Sequence, residues 1–256
     1  ESSTFEYFSK NGFSKKLIDS FFRPMLAANI FDYNLQSSSR FSKLYLKSLF
    51  QDHVALPKNG IGSIAEKIVE QLDENTVLYK SKVKRITDNG VELLNGEFME
   101  SKFVLIATNA IHANAIIGKN EMPAECSHVS TLYFSTEQAP LSKPVVMLNG
   151  DNGTTLVNHV FVPTLLHSEY APSGKHLVAV SVVKEHDLDD EELEAKCLTE
   201  LSEWFGLKVM DWKHLKTYHI KYAMPFKPIV DEIEFTKKIS SNIYACGDSL
   251  SVGSME

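Results

Sequence analysis

The sequence has little cysteine. Its 256 residues include three, Cys126, Cys197 and Cys246. Few, odd in number and widely spaced, they exclude a disulfide framework and a zinc site built on cysteine pairs, and they suit a reducing compartment, the cytoplasm. Basic charge is also short: 26 Lys and Arg stand against 33 Asp and Glu, for a formal charge of −7. The densest basic cluster, Lys80 to Arg85, lies inside a strand-like segment, so no basic stripe remains for nucleic acid. No apolar run approaches the ~20 residues of a membrane-spanning helix. The nine histidines show no metal-binding spacing and have no cysteine pair near them. There is no G-x-S-x-G, which excludes the serine hydrolases built on that elbow.

What is present suits a globular chain with a sizeable core: 43 % of residues are apolar and 23 % charged, enough for one large domain or two smaller ones. Residues 1–72 read as helical. Ser14 can cap a helix carrying Leu17, Ile18, Phe21, Phe22 and Met25, which Pro24 would bend or end. Ser37 can cap a second helix, with Phe41, Leu44, Tyr45 and Leu49 at helical spacing, and a third starts near Gly62. The period then shortens. Thr76–Tyr79, Lys82–Thr87, Gly90–Leu94 and Phe103–Ala107 read as strands, with turns at Asp88-Asn89-Gly90 and Asn95-Gly96. Longer strands follow at His128–Thr136, Lys143–Leu148, Thr154–Val162 and Lys175–Lys184. Asp189 then caps a helix whose buried stripe is Leu193, Cys197, Leu201 and Phe205. A last long strand is expected over Leu215–Tyr222. The chain opens on Glu1 and closes on Ser254-Met255-Glu256, which reads as the first turn of a helix, so both ends are expected to be cut.

Two glycine-containing stretches are candidates for ligand contact. Gly60-Ile61-Gly62-Ser63-Ile64-Ala65 fits G-x-G-x-x-A, but no strand leads directly into it and no acid follows about twenty residues on, so it reads as a glycine-rich helix start. Ile243-Tyr244-Ala245-Cys246-Gly247-Asp248 is a short strand ending in Gly-Asp, followed by small residues. Glycine lets a ligand approach the backbone, aspartate accepts hydrogen bonds from hydroxyls, and a helix start offers free N–H groups. The same residues suit an ordinary strand–turn–helix connection equally well.

Read in order, several segments resemble the superfamily of flavin-containing amine oxidases, protoporphyrinogen oxidases and phytoene desaturases. Ile243 to Glu256 resemble its late G-D-x…G-S-x-E element, and Phe103 to Asn109 its strand ending in A-T-x. Lys82 to Ile86 resemble its V-x-x-I strand, and Leu56 to Gly62 its L-P-x-G-G turn. Thr217-Tyr218-His219 with Ala223-Met224-Pro225 resembles its late Y-x-x-x-x-A-x-P stretch.

The resemblance implies an α/β fold of the mixed α+β kind, with a substrate domain of helices and a mixed sheet beside the trailing strands of a Rossmann-like FAD-binding domain. Its implied divisions are 1–72 (helical part of the substrate domain), 73–112 (partial FAD-binding domain), 113–238 (substrate domain with mixed sheet) and 239–256 (C-terminal FAD-binding segment). The chain then counts as a fragment without the N-terminal G-x-G-x-x-G unit and the C-terminal helix, expected to be inactive, to hold no FAD by itself and to self-associate. In the whole protein, FAD would remove a hydride from a C–N or C–C bond of a small or apolar substrate. Val83, Ala107 and Thr108 would lie along the adenine, ribose and pyrophosphate. Gly247 would give clearance, Asp248 would hold the ribitol or pyrophosphate region, and the backbone of Ser254 and Met255 would face the flavin. Many amine oxidases carry a tyrosine where Ser254 stands, and serine there resembles the carotenoid desaturases, which favours an apolar substrate and leaves peripheral attachment to a membrane open. No catalytic side chain carries over. The alternative on the same fold is a non-catalytic binder similar to the GDP-dissociation inhibitors.

Overall fold

The computed structural model describes residues 2–51, 55–151, 154–226 and 235–251. The helices are α1 (Thr4–Lys10), α2 (Lys15–Leu17), α3 (Arg23–Ile30), α4 (Ser39–Gln51), α5 (Gly62–Val69), α6 (Ala110–Ile117) and α7 (Asp190–Phe205). The strands are β1 (Val83–Thr87), β2 (Gly90–Leu93), β3 (Phe98–Glu100), β4 (Val104–Ile106), β5 (Cys126–Thr136), β6 (Met147–Leu148), β7 (His159–Phe161), β8 (His176–Val182), β9 (Lys213–Pro225), β10 (Thr236–Lys238) and β11 (Ile243–Cys246). This is a mixed α/β protein. Its contacts divide it into two units, residues 1–64 with 127–223 and residues 65–126 with 224–256.

The first unit is built on a five-stranded sheet in the order β6-β7-β8-β5-β9. β5 and β8 pair antiparallel from Ser130 opposite Val182 to Thr136 opposite His176. The period-2 alternation sends Leu132, Phe134, Val178, Val180 and Val182 to one face. Helix α7 covers that face with Leu193, Cys197 and Leu201, all fully buried in the same cluster. Each such leucine contributes about 1.5–3 kcal/mol through burial. Asp189 caps α7 as its sequence position requires, accepting the Glu192 N–H.

Ser14 also caps, accepting the Leu17 N–H. The break expected at Pro24 takes the form of a π turn, Ile18–Phe22, in which the Arg23 N–H reaches back to the Ile18 carbonyl. The chain then stays helical to Ile30, because a proline in the first two positions of α3 lacks only an N–H that a helix start leaves free. The α4 start lies one residue later than expected: Arg40 N–H donates to the Ser38 hydroxyl, while Ser37 N–H donates to Asp32.

The second unit carries two three-stranded sheets, β1-β2-β3 and β10-β11-β4. β1 and β2 form the expected hairpin through Asp88-Asn89-Gly90. β11 runs parallel to β4, with Ile243 opposite Val104 and Ala245 opposite Ile106, and β10 lies antiparallel on its other side. Helix α6, which was not among the expected elements, lends Ala110 and Ala113 to a cluster with Ile106, Met122 and Ala245. Contacts group residues 65–126 in this unit, and β10 joins it through its pairing with β11. Thr76–Tyr79 forms no strand. Asn75 and Lys80, on either side, adopt left-handed backbone (φ 66 and 59), which cuts the extended run short. The strands expected over Lys143–Leu148 and Thr154–Val162 shrink to β6 and β7.

Candidate functional site

The site grows from the parallel pair in the second unit. Parallel neighbours end on the same side of their sheet, so β4 delivers Ala107 and Thr108 to the place where β11 delivers Gly247 and Asp248. Ligands of open α/β sheets bind outside the carboxyl ends of the strands. Ala245, in the middle of β11, is fully buried, whereas Asp248, three residues later, is exposed.

Gly247 has φ +127, a conformation that side-chain-bearing residues rarely adopt. A Cβ placed there would find one neighbour within 4 Å, the Thr108 carbonyl oxygen at 3.9 Å. The chain turns immediately, with the N–H groups of Leu250 and Ser251 donating to the Gly247 carbonyl. In this turn the Ser249 hydroxyl is covered and has no hydrogen-bond partner.

On the β4 side, Asn109 caps α6 directly after Thr108. Its side chain accepts the His112 N–H at 3.0 Å, and Gly118 ends the helix in the left-handed conformation. The signal for this element was present as an Asn cap, an Ala/Ile run and a stop glycine. The arrangement is thus strand, Ala-Thr-Asn, helix start, with a positive helix end facing the chain's turn from β4.

Val83 stands apart from these four residues. It opens β1, in the other sheet of the unit, and pairs with Leu93. Two ties link that sheet to β11: Ile86 packs on the cluster around Ala245, and the Asn242 amide donates to the Asp88 carbonyl at 2.7 Å. Ser254 and Met255 lie outside the described residues.

The G-x-G-x-x-A segment forms a turn in which Gly60 N–H donates to the Pro57 carbonyl, and α5 starts at Gly62. The turn is anchored from the sequence-distant 167–170 region. Tyr170 donates to the Pro57 carbonyl at 2.6 Å, and Lys58 pairs with Glu169 at 2.8 Å. No strand precedes it among the described residues, so it is a helix start.

Titratable groups with displaced values are structural elsewhere. Burial pushes His159 down to about 4 and Cys197 up to about 12, the latter with a smaller push from Glu200. Among the described residues no group of His, Cys, Asp and Glu could hold a metal ion, and no helix is long and apolar enough to cross a membrane.

The first unit offers a second feature. The sheet face opposite α7 carries a mostly apolar depression of about 480 Å³ lined by Thr131, Tyr133, Leu177, Leu215, Lys216, Tyr218 and Ile220. Tyr133 and Tyr218 meet edge to face at 5.8 Å.

Comparison with known proteins places these features in context. None of the curated protein sequences matches this chain. Among solved structures, an oxidoreductase from Methanosarcina mazei is similar with a TM-score of 0.70 at 14 % identity, over 97 % of this chain and 63 % of its own. Cyclohexylamine oxidase from Brevibacterium oxydans gives 0.63 at 11 % identity, over 98 % and 63 %. Reduced UDP-galactopyranose mutase gives 0.67 at 13 % identity, over 90 % and 58 %. The chain therefore spans less than two thirds of each, and at these identities the likeness is one of fold. The sequence profile of the flavin-containing amine oxidoreductases matches residues 1–256 throughout, and the chain belongs to that family.

Proposed function

We propose that this chain is part of an FAD-dependent oxidoreductase that removes a hydride from a C–N or C–C bond of a small or apolar substrate. The observation that carries the reading is the side-by-side ending of β4 and β11, with an open, positive-φ glycine between an exposed carboxylate and a helix start.

These residues suit the cofactor. Gly247 leaves the backbone bare where a bulky ligand must approach. Asp248 accepts hydrogen bonds from ribityl hydroxyls better than it tolerates a phosphate, which its charge repels. The start of α6 after Thr108 supplies the N–H groups and partial positive charge that a phosphate needs. The uncovered demand of the Ser249 hydroxyl gives one more polar group in the same turn. Val83 on β1 is assigned to the adenine side, and the backbone of Ser254 and Met255 to the flavin. In this reading residues 73–112 and 239–256 serve the cofactor, and residues 1–72 and 113–238 serve the substrate.

When bound, FAD supplies the hydride acceptor, and the protein contributes position and electrostatics. The apolar depression under Tyr133 and Tyr218 suits a substrate with little charge, because its lining offers mostly carbon and aromatic edges. Lys216 is the one ammonium in that lining, and the other polar side chains there are the Thr131, Tyr133 and Tyr218 hydroxyls. In this reading the lining residues orient the substrate. The test is flavin absorbance in the purified longer protein, followed by substrate-dependent bleaching. A colourless protein that binds no added FAD overturns the reading.

A further inference from the structure

A chain of four polar side chains that the proposed flavin chemistry does not use runs from Ser130, buried on the first unit's sheet, out to His219 and Asp190 at the surface. Ser130, on β5 between the buried Val129 and the core-facing Leu132, is 4 % exposed. Its Oγ lies 2.9 Å from His186 Nε2 and 2.9 Å from His219 Nδ1. His219, on β9, places Nε2 2.6 Å from Asp190 Oδ1 in the first turn of α7. His186 Nδ1, at the far end, is covered and has no hydrogen-bond partner.

Counting donors fixes the protons. An ionised carboxylate only accepts, so His219 Nε2 carries a hydrogen. In neutral His219 the Nδ1 is then a bare acceptor, and the Ser130 hydroxyl must donate to it. That hydroxyl has one hydrogen, so its oxygen accepts from His186 Nε2–H. Neutral His186 is therefore left with a bare Nδ1, the atom that has no partner.

The surrounding charges complete the setting. Burial, then His219, then His128 hold His186 below its ordinary value, while Asp187 and the nearby Leu188 backbone, which is not in hydrogen-bond geometry with Nδ1, favour its protonated ring. His128 has Glu185 3.9 Å from its Nδ1.

We infer that Ser130, His186, His219 and Asp190 form a proton-coupled clamp in which one added proton reverses both hydrogen bonds of Ser130, leaves His219 Nε2–H donating to Asp190, and fastens the first turn of α7 to β9. The proton enters at His186 Nδ1. The His186 Nε2–H passes to Ser130 Oγ, and the Ser130 hydrogen passes to His219 Nδ1. Two bonds to hydrogen break, three form, and the net change is one proton. His186 ends neutral in its other tautomer, and His219 ends as a cation paired with Asp190.

The test is a pH titration of the intact chain with ¹⁵N-labelled histidine, following both ring nitrogens of each residue. The expected result is that His186 Nδ1 changes from bare nitrogen to N–H in the same step in which His219 Nδ1 gains its proton. In Ser130→Ala, His219 still titrates but His186 keeps one tautomer, and Ser130→Thr restores the joint step. If His186 keeps the same tautomer on both sides of the His219 step in the wild type, the clamp is refuted. It is refuted equally if His186 still follows His219 in Ser130→Ala. Should the alanine variant fail to fold, the wild-type titration alone decides.

Discussion

Gly247 and Thr108 meet where their strands end. A Cβ on Gly247 would stand 3.9 Å from the Thr108 carbonyl oxygen, with nothing else within 4 Å. Space is therefore not what demands glycine here. The demand comes from φ +127.

Gly247→Ala should accordingly destabilise the fold through backbone strain alone, by about 1–3 kcal/mol. Urea unfolding of the two chains measures this. A variant as stable as the wild type would mean that the turn relaxes to negative φ without cost.

Asp248→Ala should weaken FAD binding in the flavin-loaded protein by about one to two decades, the worth of a hydrogen bond to a charged group at roughly 1.5–3 kcal/mol. The apo melting temperature should hardly move. If instead the dissociation constant is unchanged and both forms melt lower, Asp248 only shapes the turn, and the non-catalytic binder becomes the better reading.

Gly90 presents the opposite case. Its Cβ would overlap the Met99 carbonyl oxygen, and its φ is +149. Gly90→Ala must push β3 from β2, combining strain with overpacking at about 3 kcal/mol. Hydrogen exchange should show Gly90, Val91 and Met99 amides losing protection before those of β5 and β8.

Asp19 is the acid-sensitive group of the helical region. Burial raises its pKa, but hydrogen bonds from Lys15 and Arg23, with their charges, outweigh this and hold it below the usual carboxylate range. Arg23 lies 2.9 Å away, and both side chains are largely buried. A depressed folded value means stability that is complete above the unfolded pKa of about 3.9 and is lost as pH falls through the folded value. Arg23→Met should cost about 2 kcal/mol at pH 7. That deficit should shrink as pH drops below about 3.9. A deficit that stays constant down to the acid transition would show that the loss is one of packing.

Cys197 sits fully buried on the sheet-facing side of α7, with its thiol pushed up to about 12. Thiol reagents at neutral pH should label Cys126 and Cys246 in the native chain and reach Cys197 only on unfolding. Mass spectrometry of peptides after brief labelling distinguishes the three. Early modification of Cys197 would mean that α7 lifts from the sheet far more readily than its packing implies.

Local chemistry made much of this protein legible in advance. The caps at Ser14 and Asp189 could be read because a cap depends on one side chain and the two or three N–H groups beside it. The β1–β2 hairpin and the alternation in β5 and β8 could be read for the same reason, since turn residues and period-2 patterns act over a few positions. Thr76–Tyr79 could not, because an apolar run becomes a strand only with a partner. Here the left-handed Asn75 and Lys80 close it off.

The sequence by itself determined the caps, the β1–β2 hairpin, the long strands β5 and β8, and the chemical character of the Gly247-Asp248 turn. Tertiary structure alone decided that β11 lies parallel to β4, and so which residues share the site. It also decided that Ser130, His186, His219 and Asp190 touch. The physical reason is that hydrogen-bonded partners far apart in the chain are selected by packing of the whole unit. No short-range propensity encodes which strand end, or which histidine, a given residue will meet.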